Sequence, residues 1–425
     1  VFASCSKDPE LEPDTPPSTF KVRIDNVIHE TYFDSYPQGP SLFVPYLVMS
    51  GLPEGEKLLA FGGYYSPENP NPDGSDYTFI HDCADDELIQ GWDWTQELIY
   101  SAGWIDLPIP GKTYYFKGVV RTNKAVYYSN TVTINTDGLP GYTPGPQDRV
   151  LPVVFHVMPR KDGTYPHPYF FDEMLACANR LYRNVWPLPG LADAGIRFVP
   201  ATHAPDGTAL STPGIHYLDE RYELDLDISN EELRQWVGDN LWEMTEVINV
   251  WVSPFINDHI VSEDTSTAGF TFLPYFAPEE MLQGCNTAVP GCFSGIFLNQ
   301  EIVGNGYCNS GIAVFAHEAG HYLGLDHVFE EDWCDDTPQY DRARYRTEQY
   351  IPGIDTYLRY PIDASAEPYT ALNVMDYDIV IYSGITPQQA ERVRYTLQHA
   401  CLVPGGKPLP GNMKSCAGPA PKVMY

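Results

Sequence analysis

SGIAVFAHEAGHYLGLDH, residues 310–327, decides how the rest of the chain is read. Ile312, Phe315, Ala316, Ala319 and Leu323 recur three and four residues apart, which predicts a helix over 310–325 with Asn309 or Ser310 as its cap. On such a helix His317 and His321 project from one side, one turn apart, so two imidazole nitrogens can reach a single metal ion. Glu318, next to His317, can lean towards the same point and take a proton from a metal-activated water without being a ligand. Gly324 can adopt the left-handed conformation that ends a helix and turns the chain, which returns His327 as a third ligand. Three neutral imidazoles and one open position are the donor set of a catalytic Zn2+. A bare HExxH arises by accident in unrelated chains, but HExxHxxGxxH fixes five positions in a chain with only 11 histidines.

Working outward, 425 residues exceed one ordinary core and predict two domains. Apolar residues at 43% suffice for packed cores. Acidic residues outnumber basic ones 57 to 25, and the net charge of -32 repels phosphate backbones and anionic bilayers, which argues against nucleic acid as a partner. No apolar run is long enough to span a membrane. Residues 1–19 are expected to be a linker, because SKDPELEPDTPPST at 6–19 is too rich in proline and acid to bury surface. Cys5 follows two small residues, as at the end of a bacterial lipoprotein signal, so it is the candidate lipidation site and the only expected route to a membrane. The other eight cysteines, Cys83, Cys177, Cys285, Cys292, Cys308, Cys334, Cys401 and Cys416, are an even set expected to form disulfides after export, with Cys285 and Cys292 as the first candidate pair.

Residues 20–136 carry short β-type runs (FKVRIDNVI, LFVPYLVMS, KLLAFGGYY, ELIYSAGWI, TYYFKGVVRT, AVYYSNTVTIN) separated by turn residues, which predicts an all-β sandwich. The last two runs meet across an Asn-Lys turn and resemble the final hairpin of fibronectin type III or immunoglobulin-like modules. DGLPGYTPGPQD at 137–148 marks a boundary, and 148–425 reads as a mixed α/β (α+β) domain. Its expected elements are strands at RVLPVVFHVM, IRFVPA and VINVWVSPF and a helix at FFDEMLACANRLYRNVW, with His156 an ordinary core histidine inside the first strand.

The extended zinc motif resembles that of the metzincin metallopeptidases, whose second signature is a methionine turn. LNVMDYD at 372–378 supplies one, and the resemblance implies that Met375 is a hydrophobic floor beneath the imidazoles and that Tyr377 directs its phenol towards the metal or the oxyanion of the tetrahedral intermediate. CDDTPQY at 334–340, NVMDY at 373–377 and the helix ITPQQAERVRYTL, with Thr386, Pro387 and Gln389 forming its cap, are similar to the pappalysins (M43-type) over roughly 150–402. The whole arrangement is similar to zinc metallopeptidase lipoproteins of Bacteroides-type bacteria. Asp326 departs from that pattern, which has an aromatic residue before the third histidine. The resemblance implies a secreted or outer-membrane, surface-anchored endopeptidase acting on protein or peptide held along a sheet edge, and a Ca2+ site near Glu331 to Asp336. The alternative is a surface adhesin in which zinc is structural or inactive.

Overall fold

The computed structural model describes residues 19–32, 39–227, 230–256, 267–272, 294–304, 312–330, 332–342, 357–377, 380–400, 402–406 and 422–424. The chain divides into two units, one of Val1–Leu139 with Val261–Ser266 and Gly304–Gly311, the other of Pro140–Ile260, Thr267–Val303 and Ile312–Tyr425.

Among its described residues the first unit has eight strands, β1 (Lys21–Thr31), β2 (Ser41–Ser50), β3 (Leu58–Ser66), β4 (Tyr77–Asp82), β5 (Leu98–Ser101), β6 (Ile105–Asp106), β7 (Thr113–Thr122) and β8 (Val126–Asn135), with one turn of helix, α1 (Glu87–Gln90). All pair antiparallel, in one sheet of order β1-β2-β5 with β6 beside β2, and another of order β4-β3-β7-β8. The expected β7–β8 hairpin is present, closed by the Asn123-Lys124 turn with a 2.9 Å bond from Thr122 N to Ala125 O. Leu47, Met49, Phe61 and Phe116 are buried, on the faces that the two sheets turn to each other. Gly118 is needed there, since a Cβ on it would come within 2.2 Å of Leu47 Cδ1 from the other sheet. Strand β4 was not among the expected runs, YTFIHD being a six-residue segment whose last two residues are polar and exposed.

In the second unit, β9 (Arg149–Val157) is followed by α2 (Pro168–Tyr182), β10 (Ile196–Pro200), β11 (Ile215–Tyr217), β12 (Leu224–Asp225), α3 (Asn230–Val237), β13 (Ile248–Ser253) and β14 (Phe255–Ile256). Then come β15 (Gly269–Phe272), β16 (Ile296–Asn299), α4 (Val314–Tyr322), β17 (Leu358–Arg359), β18 (Tyr369–Thr370), α5 (Pro387–His399) and β19 (Lys422–Met424). The main sheet runs β10-β9-β13-β16-β15-β19 with β11 also on β9. Its β9, β10, β11, β13 and β16 pairings are parallel, while β15 is antiparallel to both β16 and β19. On one face Phe155 of β9 and Phe198 of β10 pack against Phe315 of α4, with ring centroids 5.6 and 5.5 Å away. The other face carries a ladder of directly paired residues, His216, His156, Trp251, Phe297 and Phe270, one from each of five strands. Side chains of paired residues share a face because the pleat alternates with period two.

Three of the eight cysteines expected in disulfides are unpaired in the fold. Cys83, Cys177 and Cys334 are buried thiols and not half-cystines. Each behaves as a small apolar side chain, and burial pushes the Cys83 and Cys334 thiols up to about 12, far from reactivity. The expected Cys285–Cys292 pair and Cys5 lie outside the described residues, as do Cys308, Cys401 and Cys416.

Candidate metal centre

Helix α4 is shorter than the sequence predicts, Val314–Tyr322, and the expected caps Asn309 and Ser310 lie outside the described residues. Its C-terminus is set by Gly324, whose φ of 90° allows Gly324 N to bond His321 O at 2.8 Å and Leu325 N to bond Gly320 O at 2.9 Å. This is a complete Schellman motif, and it reverses the chain so that His327 faces the helix that carries His317 and His321. Nε2 of His321 lies 3.1 Å from Nε2 of His317 and 3.0 Å from Nε2 of His327. Nδ1 of His317 faces Val374 O at 2.7 Å and Nδ1 of His321 faces Leu325 O at 2.8 Å. A carbonyl can only accept, so both Nδ1 atoms carry the proton and both Nε2 lone pairs point inward. Convergent lone pairs with no proton between them repel one another unless a cation lies among them, so the donors fit a zinc ion.

All three rings are buried, and desolvation keeps His317 and His321 well below the ordinary imidazole range and His327 at about 3, so they are neutral, as ligands must be. Glu318 is fully buried beside them, and neither of its carboxylate oxygens has a hydrogen-bond partner among the described residues. Desolvation raises its pKa well above the usual carboxylate range. Strand β15 passes against it, since a Cβ on Gly269 would come within 3.2 Å of Glu318 Oε1.

Met375 lies under the helix at Gly320, where a Cβ would fall 2.2 Å from its sulfur and 2.8 Å from the Tyr182 hydroxyl. The Tyr377 ring packs 4.5 Å from His327 and 5.4 Å from His317, centroid to centroid. The structure thus brings His317, Glu318, His321, Gly324, His327, Met375 and Tyr377 together. Sequence reasoning missed what holds the methionine turn. Arg359, Asp376 and Tyr340 are buried behind it, with Arg359 Nε 3.1 Å from Asp376 Oδ2, Arg359 donating to Tyr377 O at 3.0 Å and the Tyr340 hydroxyl donating to Asp376. Asn373 bonds both Met375 N and, at 2.7 Å, Gln389 Oε1, which ties the turn to the capping box of α5. No spacing signal announces such contacts, because they join residues from separate loops.

Calcium at Glu331 to Asp336 finds no support. Asp332 accepts from Cys334 N and Thr337 Oγ1, and Asp336 accepts from Thr386 Oγ1 and Gln388 N, so both carboxylates are used to hold the loop. Glu331 lies outside the described residues.

Helix-borne imidazoles, a third one after the turn and a methionine beneath them place this unit in the metzincin class of zinc metalloendopeptidases. Residues 231–398 match a peptidase M43 family model described as pregnancy-associated plasma protein-A, so this segment is that of a pappalysin-type metzincin. Among solved structures, the chain is similar to mirolysin in complex with a molecule called compound 9 (18% identity, TM-score 0.43, covering 60% of this chain and 94% of that one). It is also similar to mature mirolysin of Tannerella forsythia with a cleaved peptide (18%, 0.43, 59% and 92%) and to a DUF3823 family protein of Bacteroides ovatus (15%, 0.19, 28% and 56%). No curated protein sequence matches the chain.

Proposed function

We propose that the protein is an exported endopeptidase in which Glu318 is the general base. The carrying observation is the pair of unpartnered, buried Glu318 oxygens beside three convergent Nε2 atoms, an arrangement that a purely structural metal site has no use for. His317, His321 and His327 would hold zinc, which when bound supplies a Lewis acid to polarise the scissile carbonyl at neutral pH. Glu318 takes a proton from the attacking water and passes it to the leaving amine. Tyr377, packed on two of the three rings, donates its phenol to the oxyanion.

Protein or peptide substrate lies extended along β15, which runs beside Glu318. The outer edge of β15 is compatible with that, because the backbone of β19 already pairs there antiparallel, Phe270 opposite Met424 and Phe272 opposite Lys422. Export, anchoring through a lipidated Cys5 and an immunoglobulin or fibronectin III-like spacer role for residues 20–136 complete the proposal. They are supported by the small residues before Cys5 and the two antiparallel sheets. Intact-mass analysis of protein from its native membrane, looking for a diacylglycerol adduct on Cys5, tests the anchor.

The test of mechanism is Glu318→Ala. The variant should bind zinc stoichiometrically and lose cleavage of casein or a quenched peptide by about three orders of magnitude or more, in the range expected when general-base help is removed. Full activity with zinc in place would remove Glu318 from the chemistry.

A further inference from the structure

Two of the three ligand imidazoles have their outer nitrogen held by a backbone carbonyl, and the third does not. His317 Nδ1 faces Val374 O and His321 Nδ1 faces Leu325 O, but Nδ1 of His327 has two carboxylates before it instead, Glu330 Oε2 at 3.6 Å and Asp326 Oδ1 at 3.9 Å. Burial, and after it the charge of Arg342, whose guanidinium lies 4.1 Å from the Tyr377 centroid, disfavour a second proton on His327. Where the single ring proton sits then decides whether the ring can be a ligand, because the nitrogen that carries it has no lone pair to give. An anion before Nδ1 draws the proton there and leaves the Nε2 lone pair on the side of His321 Nε2, 3.0 Å away.

The two carboxylates differ in role. Asp326 is partly buried and its Oδ1 already accepts from His327 N at 2.8 Å, so it fixes the backbone of the ligand. Glu330 N bonds His327 O at 3.0 Å in a tight turn, which sets the Glu330 side chain against the Nδ1 edge of the ring, and Glu330 is exposed and so free to rotate. At 3.6 Å the pair is ionic and longer than a hydrogen bond, and a turn about the end torsions of Glu330 closes it. The ring itself is held in place, with Phe329 stacked on it at 4.9 Å and 11° and Tyr377 packed edge-on at 4.5 Å.

We propose that Glu330 is a positioning residue for the metal. Its carboxylate holds the Nδ1 proton of His327 and so fixes the tautomer and orientation in which Nε2 faces the zinc, the part that carbonyls play for the other two ligands. A charged partner there also makes the imidazole a stronger donor than a carbonyl does. The inference rests on His317, His321 and His327 holding zinc, as read above.

The experiment measures zinc affinity of the full chain by competition with a chromophoric chelator, for the wild-type protein, Glu330→Gln, Glu330→Asp and Glu330→Ala. Losing an outer-shell partner costs about ten- to a hundredfold in metal affinity, so the Kd for zinc should rise about tenfold in Glu330→Gln, further in Glu330→Ala and least in Glu330→Asp, which keeps the charge. Glu391→Gln removes the same charge from an exposed position on α5 and should bind zinc as the wild type does. Proton NMR of the Co2+-loaded protein supplies a readout peculiar to positioning, since each ligand imidazole N–H gives an exchangeable, paramagnetically shifted signal. Glu330→Ala should shift or broaden one of these and leave the others in place.

A zinc Kd unchanged in both Glu330→Gln and Glu330→Ala overturns the proposal, and so does a weaker Kd in which every ligand signal moves alike, the mark of a general disturbance. Two equivalents of metal in the wild-type protein, the second lost in Glu330→Gln, would put an ion where the proposal puts a proton and overturn it as well. A wild-type protein that binds no zinc at all is a different result, and it would sink the reading of the three imidazoles along with this one.

Discussion

Gly320 sits between the two zinc-helix histidines, where the motif leaves the residue free, yet the structure leaves it little choice. A Cβ there would be 2.2 Å from the Met375 sulfur, in a spot where Met375, Tyr182 and the helix are all buried. Alanine would gain about 1 kcal/mol in helix propensity, but overpacking a rigid core costs about 1–3 kcal/mol, and at this separation the clash should win. Gly320→Ala is therefore expected to lower the urea midpoint by the equivalent of about 1–2 kcal/mol, with Met375→Ala in the same chain relieving part of the loss. A more stable Gly320→Ala protein would show that the sulfur is not seated under the helix. The motif itself was legible because its spacing is a property of one helix and one turn. Arg342, Arg359, Asp376 and Tyr340 were not, because each acquires its place from a loop whose path the local sequence does not specify.

At the scale of elements, the ladder from His216 to Phe270 places two histidines in an apolar sheet. His156 is fully buried, with Nε2 3.0 Å from Asn249 Oδ1 and Nδ1 3.0 Å from His216 Nδ1. Trp242 N also donates to Asn249 Oδ1, so that oxygen accepts and His156 carries its proton on Nε2, with His216 donating to its Nδ1. Burial lowers His156 to about 3 from an ordinary value near 6.5. A depressed folded-state pKa means the unfolded chain takes up the proton first, so this stability is whole above pH 6.5 and drains away as pH falls towards 3. Between pH 6.5 and 5 the wild-type protein should lose about 2 kcal/mol from this residue, at about 1.4 kcal/mol per pH unit, and His156→Phe should show a correspondingly shallower loss in urea titrations. Equal slopes would place the proton elsewhere.

The sheet edge allows a second prediction at this scale. One strand edge cannot pair with two partners, so deleting residues 422–425 should lower KM for peptides several-fold while kcat stays within about twofold. An unchanged KM would mean that β19 does not compete with substrate. Strands β9, β10 and β13 and helices α2 and α5 were readable from period and caps, whereas β15 and β16 are four-residue segments whose pattern cannot distinguish a strand from a buried turn. Those two form the side of the sheet that meets Glu318 and β19.

For the whole molecule, the zinc triad lies within the unit of Pro140–Ile260, Thr267–Val303 and Ile312–Tyr425. A metal that binds folded protein alone stabilises it by mass action, about 4 kcal/mol at a thousandfold excess over Kd. Chelation should therefore lower the calorimetric transition of that unit by several degrees, and restored zinc should return it. A transition that ignores both additions would mean that the imidazoles do not bind the metal in the folded state.

The amino-acid order by itself determined the donor set, its helix, the glycine that turns the chain after it and the strand-rich character of the first 136 residues, since all of these follow from periods and turn chemistry within a few residues. Only the tertiary structure decided that three of the cysteines are core thiols, that acidic residues 332 and 336 serve a loop and a helix cap, and that a guanidinium stacks beside Tyr377. Each of those outcomes depends on which distant segment arrives at a given side chain, and packing between remote parts of a chain has no period to read.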